Sequence, residues 1–147
     1  MTALQSRVKF ALNEARTLIL VAQVMLGFQF EAIFTRGFEH WPRSERLVHL
    51  TGLGLLLVAL ALLLLPAARH RIVEEGADSE ALVAFTTRVL LIALLPFVLG
   101  LGLEVHALLR PFAGGTAGVV AGTLATLAAA SFWYVLPWSR RAGRPRP

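Results

Sequence analysis

The sequence contains no cysteine. Disulfides, thiolate nucleophiles and Cys-ligated metals are therefore excluded. Charge is sparse as well: Asp, Glu, Lys and Arg make up 16% of 147 residues, against about 25% in an average soluble domain. Also missing are a P-loop, a Gly-x-Ser-x-Gly elbow, a Gly-x-Gly-x-x-Gly turn after a strand and a paired-carboxylate catalytic motif. Together these absences argue against an ordinary cytosolic enzyme, a disulfide-stapled module and a disordered chain. We expect no enzymatic activity, no catalytic residue, no cofactor and no bound metal.

What is present is apolar. Hydrophobic types reach 56% and the mean hydropathy is +0.68. A bilayer core of about 30 Å takes about 20 apolar residues as a helix. Four runs qualify, at about 18–34, 47–66, 81–103 and 115–136. Backbone polar groups in lipid must be satisfied internally, so the runs should be helices. The expected fold is all-α, a polytopic transmembrane bundle of four spans occupying residues 1–138. Residues 3–17 read as an amphipathic extension of the first span, with Val8, Ala11, Leu12, Ala15 and Ile19 as its apolar stripe. Residues 139–147 read as a disordered basic tail.

The net charge of +5 sits in short segments between the runs. That pattern suits anionic lipid rather than nucleic acid. With four spans the termini share a side. That side carries nine Lys and Arg residues against four on the other, so both termini should be cytoplasmic. Pro66 closes the second run and Asp78 or Ser79 can cap the third helix. Pro96 lies inside the third run and should free the carbonyl of Ile92.

The first run is the most polar. At 100° per residue, Arg16, Gln23, Gly27 and Glu31 fall in a sector of roughly 80° that extends about 22 Å along the helix. Such a stripe is costly against lipid, so it should face other helices or water. Glu31 then reads either as the titrating group of a hydrated ion path or as polar glue between helices. Gln29 points to the opposite side and marks a second helix contact. Arg88, about 10 Å inside the third run, needs a partner or must snorkel from a helix that begins later; a Glu14–Arg88 contact is the favoured expectation.

Other features are weaker. Glu31, Arg46, His49, Glu104 and His106 fall near the non-cytoplasmic ends of the first three spans. They allow a proton relay, a divalent metal or a haem held by His49 and His106, but an ordinary hydrated surface is favoured. Arg69, His70 and Arg71 can meet lipid phosphate, or supply helix C-terminal charge. Gly114, Gly118 and Gly122 recur at four-residue steps, a small-residue face for tight helix packing, and Gly27 joins them as a packing position.

Glu14-x-Arg16, Gln23, Gly27-Phe28 and Pro66-x-x-x-His70-Arg71, in that order and spacing, resemble a family of small, uncharacterised bacterial four-span membrane proteins, one of the domain-of-unknown-function families. The resemblance covers roughly residues 5–110. Some members carry a sodium/proton antiporter label, so the resemblance implies exchange of protons or monovalent cations. It adds weight to Glu14, Arg16 and Gln23; Glu31 is not among the matched positions. The expectation is a homo-oligomer in the lipid bilayer, its path formed by Glu14, Arg16, Gln23, Glu31 and Arg88. The alternative is a non-transporting interaction module attached to another membrane protein.

Overall fold

In a computed structural model, residues 2–142 are described. Helix α1 runs over Ala3–Phe34, α2 over Arg43–Ile72 and α3 over Glu80–Ala113. Helix α4, Gly115–Ala130, continues through a wider turn at Ser131–Val135 into α5, Leu136–Ala142. A short 3-10 turn, Phe38–His40, lies between α1 and α2. No strand occurs among the described residues. Four helices, counting Gly115–Ser139 as one, are long and apolar enough to cross a membrane.

The helices outrun the apolar runs that predict them. The 34 residues of α3 span about 51 Å at 1.5 Å each, well beyond the hydrocarbon core. The expected N-terminal extension is the first half of α1, continuous with the span. Helix α5 carries the chain to Ala142, into the segment expected to be a disordered tail. Residues 143–147 lie outside the described residues.

Caps and turns fix the ends. Thr2 and Gln5 form a capping box at the start of α1, which satisfies two orphan N–H groups at once. Ser79 Oγ accepts from the Leu82 N–H and starts α3. Gly114, with φ at +85°, supplies the left-handed step between α3 and α4 that a side chain would resist.

α3 lies centrally, with α2 on one flank and α4 on the other; α1 packs on α2 and α3. Arg7 pairs with Glu80 at 2.6 Å, which sets the start of α1 beside the start of α3. Tyr134 donates a hydrogen bond to the Leu91 carbonyl at 2.7 Å, and Trp133 lies against Phe97. The start of α1, helix α5 and the α2–α3 loop therefore share one end of the bundle, the near end. The α1–α2 and α3–α4 connections form the far end.

The middle is dry in character. Ala15, Ala22 and Leu26 of α1 meet Leu53, Leu56, Ala59 and Leu63 of α2 and Leu90, Ala93 and Phe97 of α3. Small residues on α1 let its backbone approach, and leucines fill the space. α3 continues unbroken through Pro96. The Tyr134 hydroxyl bonds one residue away from the carbonyl that Pro96 leaves without its helical partner.

On the other flank α3 and α4 touch backbone to backbone. A Cβ at Gly122 would stand 2.5 Å from the Gly102 carbonyl oxygen, and one at Gly102 would stand 1.8 Å from Thr126 Oγ1. Gly118 is likewise closed in by His106 and Arg110.

Candidate functional site

Helix α1 turns one face inward and the other out. Val8, Ala11, Ala15, Ala22, Leu26 and Gln29 are buried. Arg16, Gln23, Gly27 and Glu31 are all exposed, on the side away from the bundle. A Cβ built at Gly27 meets nothing within 4 Å. The stripe therefore holds together as one face, but it faces no helix of its own chain. Among the described residues nothing lies within 4 Å of a Cβ at Gly27 or Gly114, and Gly114 also serves the turn described above. Gly118 and Gly122 are buried against α3.

The Glu14–Arg88 contact does not form. Both side chains are exposed, and neither has an ion pair among the described residues. Glu14 instead stands at the rim of an apolar cleft of about 430 Å³, walled by Leu18, Leu63, Phe97 and Trp133 among others. Arg88 lies on α3 little more than two turns from the Glu80 start of the helix, short enough for its long stem to carry the charge to the near-end surface.

The Arg69-His70-Arg71 cluster closes α2. Arg69 reaches Glu74 at 3.4 Å and lies 4.5 Å above the Phe85 ring. The Arg69 and His70 carbonyls accept from Val73 and Gly76. Arg69 is thus committed to the α2–α3 turn, and Arg71 is the exposed cation of the three. Pro66 is buried in the last turns of the helix.

The far end holds what the sequence undervalues. His49 of α2 is 3% exposed. Its Nδ1 lies 2.9 Å from Glu104 Oε2 of α3, and its Nε2 lies 3.2 Å from the Gln29 carbonyl oxygen of α1. One imidazole therefore ties three helices. The Phe38 and Trp41 rings meet it edge-on at 5.7 and 5.8 Å and roof it over. Beside it, Glu45 pairs with Arg110 and lies 3.5 Å from His106 Nε2. Glu104 Oε1, Gln29 Oε1 and His106 Nδ1 are buried without a hydrogen-bond partner, an unusual concentration at one end of a small bundle. A cleft of about 320 Å³ bordered by Gln29, Trp41, His49 and Glu104 opens on this cluster.

Among the described residues no three His, Asp or Glu side chains converge as metal ligands. His49 and His106 each face a carboxylate, and His40 contacts the Arg36 carbonyl. The far end is therefore a paired network centred on buried His49, with Glu45, Glu104, His106 and Arg110 partly exposed around it and Glu31 exposed, more enclosed than the hydrated rim favoured from the sequence. Gln29 was the available signal: a polar residue on the opposite side of α1 from the stripe, it is buried at the junction with α2 and α3.

A family model matches residues 4–137, nearly the whole chain, and describes a family of unknown function. The chain belongs to DUF6328. Neither a curated protein nor a solved structure matches it. The match takes in all four membrane-competent helices, so the DUF6328 match covers both the outward face of α1 and the far-end network.

Proposed function

We propose that this DUF6328 chain assembles with copies of itself in a bacterial inner membrane and moves protons or monovalent cations along the interface. The observation that carries the reading is the direction of the α1 stripe. Arg16, Gln23 and Glu31 point away from a bundle whose middle is filled by alanine, leucine and phenylalanine. Polar groups at membrane depth need partners or water, and here a neighbouring chain supplies the missing wall. Glu31 is the carboxylate of that path and Arg16 sets its field; Glu14, about 160° round α1 from Arg16 at the rim of the apolar cleft, and Arg88 on α3 act from outside the stripe. The excess of Lys and Arg at the near end supports a cytoplasmic placement of both termini. Lipid surrounds the assembly; nucleic acid is not a partner.

The test is flux. The purified chain is placed in liposomes under a proton gradient and, separately, a sodium/potassium gradient, beside Glu14→Gln and Glu31→Gln variants. Flux that one variant abolishes, at unchanged fold and oligomer size, supports the reading and names its titrating group. Absence of flux under both gradients overturns it. A non-transporting interaction module is the second reading. It is favoured by the position of Glu31 within a turn of the end of α1, and it predicts a stable partner of a different sequence on gentle extraction.

A further inference from the structure

We infer that His49 and Glu104 form a proton-binding site that fastens α1 to α2 and α3 at the far end of the bundle. The argument is a count of protons. A carbonyl oxygen cannot donate, so the 3.2 Å contact between His49 Nε2 and the Gln29 carbonyl requires a proton on Nε2. The 2.9 Å contact between His49 Nδ1 and Glu104 Oε2 requires a second proton, on one atom or the other. The pair therefore holds two protons, as imidazolium with carboxylate or as imidazole with carboxylic acid. A neutral imidazole beside a bare carboxylate holds one. That state must lose a contact, because two lone pairs would face each other.

The surroundings isolate this proton. Glu104 is the ionisable group that faces His49 from α3. α1 presents Gln29, and the α1–α2 connection presents Phe38 and Trp41, none of which titrates. On α2 itself Glu45, one turn back, is engaged by His106 and Arg110. The carboxylate is held in place from behind: Glu104 Oε1 lies so close over Gly52 that a Cβ there would stand 2.3 Å from it. The cleft that borders His49 and Glu104 gives the proton its route to and from the surface. Release of the proton breaks one of two links, and the link to Gln29 is the one hydrogen bond between side chain and backbone that joins α1 to α2 among the described residues. Proton occupancy thus sets how firmly the far end of α1 is held. This site does not depend on transport, and its test fails separately from the flux measurement.

The experiment uses the full chain in lipid nanodiscs. Nitrogen NMR of the imidazole ring and the infrared carboxyl band count the protons on His49 and Glu104, with His49→Gln and Glu104→Gln as assignments. A spin label on a cysteine introduced at Ala32, unique in a chain without native cysteine, reports the mobility of α1. The expected result is two protons on the pair near neutral pH, one lost on alkalinisation, and a concurrent rise in label mobility. In Glu104→Gln the amide N–H donates to Nδ1 while Nε2 still donates to Gln29, so both contacts persist and the pH response of the label disappears. One proton on the native pair near neutral pH would overturn the inference. So would a label mobility independent of pH, or a response that survives Glu104→Gln unchanged. If that variant fails to fold, the proton count on the native pair decides alone.

Discussion

At the scale of single residues, two glycines with opposite surroundings give opposite expectations. Gly52 sits beneath the Glu104 carboxylate, and Gly27 meets nothing. Gly52→Ala should push Glu104 away from His49 and cost about 1–3 kcal/mol, the usual range for overpacking; thermal unfolding in nanodiscs measures it. Gly27→Ala should leave the isolated chain as stable or raise it by about 0.5–1 kcal/mol, the normal gain of removing a mid-helix glycine. The same change should weaken self-association if copies meet at α1, which sedimentation in detergent would register. Tyr134→Phe removes the bond to the Leu91 carbonyl and should cost about 1 kcal/mol. None of the far-end pairings was legible from the sequence. His49 and Glu104 are 55 residues apart, and hydropathy gives their depth but not their neighbour.

At the scale of elements, the sequence was most informative about which residues share a face and least about what that face meets. Angles around α1 group Arg16, Gln23, Gly27 and Glu31 correctly, because helical geometry alone decides that. Whether the group turns inward depends on the opposite side. There Ala11, Ala15 and Ala22 are small enough to fit against α2 and α3, so close packing wins and the polar side is left outside. The four-residue glycine spacing in α4 is legible for the same reason, and Gly114 drops out of it because a positive φ is needed one residue before the helix begins. Gly122→Leu should lift α4 from α3, since a Cβ alone already meets the Gly102 carbonyl. Accessibility of a cysteine introduced at Ala129, buried in the native chain, would rise with it. Arg7→Gln, by contrast, should change stability by less than about 1 kcal/mol, because the Arg7–Glu80 pair is largely exposed.

At the scale of the whole molecule, four membrane-competent helices and a shared end for the start of α1 and α5 were readable from run length and turn residues. The helix order, with α3 central, was not. It comes from Gly102 on α3, which admits α4 on one flank, and from Gly100, which receives Leu56 of α2 on the other. A cysteine introduced at Gly27 is expected to give a disulfide-linked dimer under mild oxidation in membranes, while one at Leu56, fully buried, should not. A monomer from both would contradict assembly through α1.

The packed middle of the bundle has a consequence for how the protein behaves in a living membrane. A chain plugged by leucine and phenylalanine is an insulator when it is alone. If copies conduct together as proposed, a newly inserted single chain would leave a proton gradient across its membrane intact. Conductance would then be a collective property with a threshold. In vesicles of increasing protein-to-lipid ratio, flux per chain should start near zero and climb steeply, whereas a path through each monomer would give a constant value from the first copy.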